Sequence, residues 1–346
     1  MCEKNVNTNI ESINIISSPI ALKIAMNITN DISDLIKNTR DAISKILNRE
    51  DKRLIVIIGP CSIHDKDLAL DYAQRLADVK NKFPNLLIIM RVYFEKPRTI
   101  TGWKGLIMDP NLDNSCYIEK GLRLSREIMI GINNKGVPIG CEFLDTISAQ
   151  YISDLVSWGA IGARTTESQL HRQLASGLST PIGFKNTTSG NIKVAINSIL
   201  ACKEKHTFLG INNEGIASIV KTKGNPNCHL ILRGGVNPNY YSNIVNNSVQ
   251  MCIDNNVIPN IFIDCSHGNS QKNYKNQKVV VDSICEQISK GQDNIVGVMI
   301  ESNIHEGNQK LINKKNLKYG VSITDSCVSW EESLNLLEKL NKLFIN

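Results

Sequence analysis

The sequence predicts an α/β protein of the (β/α)8 barrel class, and three observations lead to that prediction. Eight short runs rich in Ile, Val and Leu recur along the chain without strict alternation of apolar and polar residues. Strands covered on both faces, as in a parallel sheet, have this composition. Helix-like stretches lie between most of the runs, and the pattern fills about 290 residues, which favours a closed barrel over a doubly wound sheet.

The predicted strands and helices alternate in chain order. The strand-like runs are LIVIIGPC (54–61), LLIIMRVY (86–93), PIGCEF (138–143), AIGAR (160–164), PIGFK (181–185), LILRGG (230–235), IFIDCSH (261–267) and VGVMIES (296–302). The clearest helical stretches are DLALDYAQRLADVKNKF, LRLSREIMIGINNKG, QLHRQLASGL and, after the last strand, EESLNLLEKLNKLF. Their apolar residues recur at helical spacing, and Gly136 follows the second stretch as glycine commonly follows a helix.

Two segments fall outside this alternation. Residues 1–50, with the amphipathic stretch ISDLIKNTRDAISKIL, precede the first strand and are predicted to be an N-terminal extension to a barrel over 51–346. FLGINNEGIASIV (208–220) is predicted to be an inserted β-hairpin, spanning 207–221 and turning at 212–215. No linker or repeat requires a second domain.

Length and composition exclude several classes of protein. The chain has 346 residues, of which 42% are hydrophobic, enough for one large globular domain. No apolar stretch approaches the roughly 20 residues needed to cross a bilayer, and the first thirty residues lack the order of a secretion signal. The ten cysteines form no CxxC pair, which favours reduced thiols. We therefore expect a cytoplasmic protein without a membrane partner.

The formal charge of +6 does not by itself indicate a nucleic-acid partner. The sequence contains no basic helix, zinc-finger spacing or RNA-binding motif. An excess of cations can equally serve an anionic small molecule.

Polar or ionisable residues close nearly every predicted strand. They are Cys61, Arg91, Glu142, Arg164, Lys185, Arg233, the segment Asp264 to His267, and Glu301. In a (β/α)8 barrel the C-terminal ends of the strands meet on one face, where catalytic groups gather. Solvated strand ends would be a mixture of small, polar and apolar residues, so this pattern favours a functional site.

The cations among these residues predict an anionic substrate. Arg91, Lys96 and Arg98 lie in IMRVYFEKPRT (89–99), and we expect them to share a pocket with Arg164, Lys185 and Arg233. Converging cations repel one another unless an anion occupies the site, and the planar Arg fork suits phosphate and carboxylate.

A second group offers ligands for a metal. Cys61, His267, Glu301 and Asp325, the last from GVSITDS, supply a thiolate, an imidazole and two carboxylates. None belongs to a local motif, and each alone is more often a core or surface residue. Together they form a mixed set suited to one divalent transition ion such as Mn, Fe, Co or Zn.

Long motifs at these same positions resemble a known family. They are IIGPCSIHD, MRVYFEKPRTITGWKGLIMDP, SWGAIGARTTESQ, PIGFKN, LRGG, DCSHGNSQK and MIESNIHEGNQ. They resemble the type I, feedback-regulated 3-deoxy-D-arabino-heptulosonate 7-phosphate (DAHP) synthases, and the similarity extends over about residues 10 to 335. That family has the (β/α)8 TIM-barrel fold and joins phosphoenolpyruvate, D-erythrose 4-phosphate and water into DAHP and phosphate, the first step of the shikimate pathway.

The resemblance implies a role for each matching residue. It implies that Cys61, His267, Glu301 and Asp325 hold the metal. It implies that phosphoenolpyruvate contacts Arg91, Lys96, Arg164, Lys185 and Arg233, with Glu142 nearby, and that erythrose 4-phosphate contacts Lys96, Pro97, Arg98 and Thr99. Lys96 then lies where both substrates meet, either as a proton donor or in a purely electrostatic role, so that Lys96, Cys61 and His267 are the expected catalytic residues.

The resemblance also implies feedback inhibition by an aromatic amino acid and a homodimeric or homotetrameric assembly. The matching elements are the N-terminal extension and the hairpin, and both depart from relatives sensitive to phenylalanine. Those relatives carry two acids where this chain has Val6 and Asn7, a proline at Ala149 and a serine at Gly210. The missing hydroxymethyl group at Gly210 leaves room for a phenol oxygen, which favours tyrosine, although EDKRLIVIIGPC is closer to the tryptophan-sensitive form. A plain dimerisation arm, without inhibition, is the alternative for residues 1–50.

Two other functions remain open at this point. Lys185 ends a strand where a Schiff-base aldolase would keep its lysine, which would need a lowered pKa. That reading leaves the Cys, His, Glu and Asp set without a role. A catalytically inactive, amino-acid-sensing barrel would have a broken ligand set, whereas here every expected ligand and cation is present.

Overall fold

The protein is described here by a computed structural model covering residues 5–98 and 102–344. Eight parallel strands close into a barrel in the order β1-β10-β9-β8-β5-β4-β3-β2, which confirms the predicted fold. The barrel strands are β1 (Leu54–Gly59), β2 (Leu86–Arg91), β3 (Ile139–Glu142), β4 (Trp158–Ile161), β5 (Ile182–Lys185), β8 (Cys228–Leu232), β9 (Ile261–Asp264) and β10 (Ile295–Glu301).

Helices follow the strands as the alternation predicts. They are α3 (Lys66–Val79), α4 (Ile118–Asn134), α5 (Ser148–Ile152), α6 (Gln169–Gly177), α7 (Ile192–Lys203), α8 (Ser242–Asp254), α9 (Asn276–Ser289) and α10 (Trp330–Lys342), preceded by α1 (Pro19–Ala25) and α2 (Asn30–Leu47). Side-chain caps begin several of them: Asp65 accepts from the Leu68 amide before α3, and Ser329 accepts from the Glu332 amide before α10. In the described part of the chain, no helix is long and apolar enough to cross a membrane.

Alternate residues of each strand belong to two different cores. Ile55 and Ile57 of β1 pack in one cluster with Ile89, Ile231 and Met299. The residues between them, such as Val56 and Ile58, pack with the surrounding helices in another. Since successive side chains of a strand point to opposite faces, the first cluster fills the barrel and the second lies outside it.

Helix α2 closes the N-terminal end of the barrel. Its residues Ile43, Ile46 and Leu47 are buried and belong to the cluster that fills the barrel. This cluster also contains Trp158, the first residue of β4. The Trp158 indole N–H donates to His229 Nε2 at 3.0 Å. The second half of the segment predicted as an extension is therefore part of the barrel core.

The first part of the extension and the hairpin contact each other. Strands β6 (Thr207–Ile211) and β7 (Ala217–Lys221) pair antiparallel, as predicted, and form a sheet separate from the barrel. The Ile20 amide donates to the Asn213 carbonyl at the hairpin turn, at 2.8 Å. Ser17 binds a helix of the barrel, because its amide and hydroxyl both donate to Glu119 on α4.

Candidate active site and metal centre

The ends of five barrel strands bring charged side chains into the barrel mouth. Arg91, Glu142, Lys185, Asp264 and Glu301 are the last residues of β2, β3, β5, β9 and β10. Arg91 lies two residues beyond Ile89, and Glu301 two beyond Met299, both of which point inward. The two-residue period of a strand therefore directs Arg91 and Glu301 toward the axis as well.

Three other predicted residues lie just beyond their strands. β4 ends at Ile161, so Arg164 is three residues past it, while Cys61 follows β1 by two residues and Arg233 follows β8 by one. The strand predicted at 160–164 lies instead at Trp158–Ile161. A turn begins at Gly162, whose carbonyl accepts from the amides of Thr165 and Thr166, and this turn ends the strand. Only Ala160 and Ile161 of the AIGAR run therefore belong to the strand.

Arg91 and Glu301 form a buried ion pair. Arg91 Nη2 donates to Glu301 Oε1 at 2.9 Å, and both side chains are almost completely buried. The guanidinium also donates to the carbonyls of Pro60 and Cys61 and lies 3.6 Å from the centre of the Tyr93 ring. These contacts hold the guanidinium in one orientation beside the Cys61 loop.

Lys185 is surrounded by carboxylates. Its Nζ donates to Glu142 Oε2 at 2.9 Å and lies 3.7 Å from Asp264 Oδ2, and all three residues are buried. Burial raises the pKa of Glu142, but the charge and hydrogen bond of Lys185, together with the nearby Arg91 and Lys96, outweigh it and lower the pKa below its ordinary value. Burial also raises the pKa of Asp264, and His267 and Lys185 then hold it well below its ordinary value. Both carboxylates are therefore ionised.

The remaining cations lie nearer the surface of the mouth. Burial lowers the pKa of Arg233, and the neighbouring Arg164 charge lowers it further, against the opposing effect of Asp264. Arg164 and Arg233 are thus close enough to repel each other. An anion between two such cations would relieve that repulsion.

Lys96 reaches the same centre from the loop after β2. Its Nζ donates to Cys61 Sγ at 3.1 Å. Burial lowers the pKa of Lys96, but Cys61 and Glu301 more than offset it, so the pKa is raised. Pro97 and Arg98 follow it, and Arg98 is exposed with its Nε donating to the Trp103 carbonyl at 2.8 Å. Thr99 lies outside the described residues.

Three of the four predicted metal ligands come together. One ligand atom from each of Cys61, Glu301 and Asp325 lies within 4.8 Å of the others. Cys61 Sγ also contacts Asp325 Oδ2 at 3.6 Å. Burial raises the pKa of Asp325, but Lys96 and His267 outweigh it and lower the pKa, so this carboxylate is ionised. A thiol and two carboxylates are a donor set that suits a divalent transition ion.

His267 is adjacent to this triad and is held by two neighbours. Its Nε2 lies 3.7 Å from Glu301 Oε1, while its Nδ1 lies 3.0 Å from Asp264 Oδ2 and 2.7 Å from the Ser266 hydroxyl. His267 has a positive φ of 56°, a backbone conformation that a residue with a side chain seldom adopts. A carboxylate behind the ring nitrogen opposite a metal is typical of metal-binding histidines.

The surroundings of Cys61 favour the thiol unless a cation stabilises the thiolate. Burial and the Glu301 carboxylate raise the pKa of Cys61 to about 11, against the opposing effect of Lys96. A bound metal ion deprotonates a coordinating thiol. The residues present therefore fit a metal and make the state of Cys61 depend on one.

Sequence reasoning did not assign roles to Asp264 and Tyr93. Asp264 pairs with both Lys185 and His267, and Tyr93 stacks on Arg91. Asp264 lies in the segment Asp264 to His267 that closes the predicted run IFIDCSH, so its position near a strand end was a usable signal. The stacking of Tyr93 depends on the turn after β2 and has no counterpart in the sequence pattern.

Comparison with known proteins places the chain in a family. Residues 23–338 match the DAHP synthetase I family. The chain belongs to that family. It is 48% identical over 338 residues to the Phe-sensitive phospho-2-dehydro-3-deoxyheptonate aldolase of Escherichia coli K12, with 97% of each chain covered. It is 52% identical over 318 residues to the tyrosine-inhibited enzyme of Candida albicans, covering 89% of this chain and 85% of that one.

The solved structure of a DAHP synthetase I relative agrees with the fold. The phospho-2-dehydro-3-deoxyheptonate aldolase of Francisella tularensis SCHU S4 superposes with a TM-score of 0.95 at 45% identity, covering 97% of this chain and 98% of that one.

Among the sequence relatives, the Trp-sensitive enzyme of Escherichia coli K12 is 47% identical over 324 residues, 93% of each chain. The DAHP synthetase I relatives thus include forms named for each of the three aromatic amino acids.

Proposed function

We propose that this chain is a DAHP synthase, which condenses phosphoenolpyruvate with D-erythrose 4-phosphate and water to give DAHP and phosphate. The observation that carries the proposal is the meeting of two groups at one end of the barrel. In the Cys61, Glu301 and Asp325 triad, Glu301 pairs with the buried Arg91. The Lys96 ammonium donates to Cys61. Membership of the DAHP synthetase I family supports this reaction.

Five cations are proposed to bind phosphoenolpyruvate, which carries a phosphate and a carboxylate. They are Arg91, Lys96, Arg164, Lys185 and Arg233, with Glu142 nearby. Arg91 and Lys185 are already paired with Glu301 and Glu142, so they are oriented before the substrate arrives. Arg164 and Arg233 repel each other, and this repulsion favours an anion between them.

Erythrose 4-phosphate is proposed to contact Lys96, Pro97, Arg98 and Thr99. Lys96 anchors this segment, because its amide donates to the Lys104 carbonyl at 3.0 Å while its ammonium reaches Cys61. The exposed guanidinium of Arg98 would then meet the phosphate at the outer end of the mouth.

One divalent ion is proposed as the cofactor, with Mn, Fe, Co and Zn as the candidates. Cys61, His267, Glu301 and Asp325 would hold it, and Asp264 would orient His267 from behind. When bound, such an ion supplies Lewis-acid polarisation of the aldehyde carbonyl.

The residues of this chain are proposed to align the two substrates and to balance charge as the bonds change. C3 of phosphoenolpyruvate attacks the aldehyde carbon, water adds at C2, and phosphate leaves with cleavage of its C–O bond. Arg91, Lys185 and Arg233 offset the charge on the phosphoenolpyruvate side throughout. The Lys96 ammonium lies between the two substrate positions and can donate a proton to the alkoxide that forms from the aldehyde.

Feedback inhibition by an aromatic amino acid is part of the proposal. The relatives are named as sensitive to tryptophan, phenylalanine or tyrosine, and those names do not agree on one effector. Tyrosine is favoured because Gly210 in the hairpin lacks the hydroxymethyl group of the serine that relatives sensitive to phenylalanine carry. We also propose a cytoplasmic homodimer or homotetramer, with residues 1–50 and the hairpin 207–221 as regulatory elements.

The test is an activity assay on chelator-treated protein. Loss of phosphoenolpyruvate in the presence of erythrose 4-phosphate is measured with and without added Mn, and tyrosine, phenylalanine and tryptophan are then titrated separately. We expect activity that Mn restores and one inhibitory amino acid. Borohydride trapping of a covalent substrate adduct on Lys185 would instead support a Schiff-base aldolase. Inactivity with every candidate metal would favour an amino-acid-sensing barrel.

A further inference from the structure

Three buried asparagines lie together behind Arg233, at the C-terminal end of the barrel. Asn186 follows Lys185 directly, Asn239 lies in the loop after β8, and Asn269 lies in the loop after β9. Their exposed fractions are 0%, 5% and 2%. Buried amide side chains are costly unless their hydrogen bonds are made, so the partners of these three residues identify what they hold.

Asn186 uses its full hydrogen-bonding capacity. Its Oδ1 accepts from the Arg233 amide at 2.8 Å and from Asn239 Nδ2 at 3.1 Å. Its Nδ2 donates to the carbonyl of Gly234 at 2.7 Å and to that of Thr187 at 2.9 Å. One side chain therefore holds both the Arg233 amide and the Gly234 carbonyl.

The other two asparagines continue the same contacts. Asn239 Oδ1 accepts from the Gly234 amide at 2.7 Å, and the Asn239 amide donates to Asn269 Oδ1 at 2.7 Å. Asn269 Nδ2 donates to the carbonyls of Leu232 and Asp264, at 3.1 and 2.9 Å. The chain of bonds thus runs from the end of β5, through β8, to the end of β9.

Together these bonds fix the backbone around Arg233 completely. Each backbone polar group from the Leu232 carbonyl to the Gly234 carbonyl has a partner, since the Gly268 amide donates to the Arg233 carbonyl at 3.1 Å. Four of the five bonds come from asparagine side chains. Ladder bonds between strands end before this segment, so the side chains replace them.

The surrounding loops lie too close to one another for longer side chains to make these hydrogen bonds. Gly234 has φ of +75°, and a Cβ on it would lie 2.4 Å from the carbonyl carbon of Gly268. A Cβ on Gly235 would lie 2.5 Å from Gly190 Cα. Because the three loops meet backbone to backbone here, the short planar amides of the asparagines fit where longer polar side chains would not.

We propose that Asn186, Asn239 and Asn269 are positioning residues that aim the Arg233 guanidinium at the anionic substrate. Arg233 is partly buried and faces repulsion from Arg164, so a loosely held backbone would let it turn away from the site. A rigid backbone removes that freedom before binding, which lowers the cost of binding the anion. This inference rests on the proposed function, which supplies phosphoenolpyruvate as the anion.

The experiment compares Asn186→Asp and Asn239→Asp with the wild-type chain. Each change keeps the shape of the side chain and removes its N–H donors. Calorimetry on the Mn-loaded full chain measures the Kd for phosphoenolpyruvate, steady-state kinetics give the KM for each substrate, and thermal unfolding gives Tm. We expect Asn186→Asp, which loses two backbone contacts, to raise the Kd and KM for phosphoenolpyruvate at least about tenfold. Asn239→Asp should raise them about threefold, and the KM for erythrose 4-phosphate should change less than twofold in both.

Asn225 offers a matched control. It is also buried, and its Nδ2 donates to the carbonyls of Ala175, Leu178 and Thr180, but it lies just before β8, at the opposite end of the barrel. Asn225→Asp should lower Tm and leave the Kd for phosphoenolpyruvate unchanged. Unchanged Kd and KM in Asn186→Asp, with only a lowered Tm, would overturn the inference.

Other outcomes separate the inference from the proposed function. If Asn186→Asp does not fold, an unchanged Kd in Asn239→Asp overturns the inference and a raised Kd supports it. If the wild-type chain binds phosphoenolpyruvate without turning it over, the proposed function fails while the Kd comparison still decides the role of the asparagines. If the wild-type chain binds no phosphoenolpyruvate, both fail.

Discussion

The two ends of the barrel are both buried, but they are filled with opposite chemistry. At the N-terminal end, Ile43 and Leu47 of α2 belong to one apolar cluster with Trp158. At the C-terminal end, Arg91, Lys185 and Glu301 are equally buried and are held by ion pairs. Apolar burial stabilises the fold, whereas buried ion pairs contribute little net stability because desolvation offsets their attraction. The charged end is therefore kept for function, and substitutions at the two ends should have different consequences.

The largest expected effect is on activity, at the charged end. Cys61→Ala removes the one sulfur ligand of the triad, so we expect kcat/KM to fall at least roughly 10³-fold, equivalent to about 4 kcal/mol of transition-state stabilisation. Metal analysis of the purified variant by mass spectrometry should show a bound-metal content well below that of the wild type.

The control for this prediction is another cysteine away from the triad. Cys285 on α9 is half-buried, and Cys285→Ala should retain both metal and activity. A Cys61→Ala protein with wild-type turnover would remove Cys61 from the site.

The next effect separates stability from activity within one ion pair. Arg91→Met leaves the Glu301 carboxylate buried without its cation, which should lower the free energy of unfolding by about 3–5 kcal/mol. The double variant Arg91→Met/Glu301→Met removes both charges and should recover most of that loss in urea titrations. Both variants should be inactive, since both lack a proposed substrate cation.

An exposed pair provides the reference for that cycle. Lys290 and Glu286 form an ion pair at 2.5 Å on the surface, where their side chains are 73% and 65% exposed. Because water screens such a pair, Lys290→Met should leave the free energy of unfolding nearly unchanged. A double variant at the buried pair that is no more stable than Arg91→Met would contradict the view that this end is kept for function alone.

At the apolar end, stability should change without activity. Ile43→Ala opens a cavity in the cluster that fills the barrel, so the free energy of unfolding should fall by about 2–5 kcal/mol. The kcat/KM of the folded fraction should stay within twofold of the wild type. Ile24 on α1 is 72% exposed, and Ile24→Ala should change stability by less than about 0.5 kcal/mol. A large loss of activity in folded Ile43→Ala would show that the two ends are coupled.

The last effect is a pH dependence of stability at the same end of the barrel. Burial lowers the pKa of His229 to about 3, below the roughly 6.5 of the unfolded chain. The unfolded state then binds the proton more readily, so the stability contributed by neutral His229 is complete above about pH 6.5 and is lost as pH falls toward 3. The slope is at most about 1.4 kcal/mol per pH unit.

Urea titrations at several pH values can isolate this contribution. His229→Gln keeps an acceptor for the Trp158 N–H but cannot titrate, so its stability should fall less steeply between pH 6 and 4. His305 is exposed, and His305→Gln should keep the wild-type slope. Equal slopes in all three proteins would contradict a neutral, buried His229.

The sequence by itself determined the elements and the chemical types at their ends. Apolar runs of strand length alternating with helical stretches identified the barrel, since both periodicities are local properties of the chain. The same period placed Arg91, Glu142, Lys185 and Glu301 at strand ends. The limits of β4 were wrong by two and three residues, because its pairing with β3 begins at Trp158 and the turn at Gly162 ends the strand.

Only the tertiary structure decided which of these residues meet. Cys61 and Asp325 are 264 positions apart, and their contact depends on the pairing of β1 with β10 that closes the barrel. The docking of α2 under the barrel and the asparagine contacts behind Arg233 likewise join residues from separate parts of the chain. Local patterns specify which face a side chain points to, whereas its partners are set by the packing of distant segments, which no local pattern encodes.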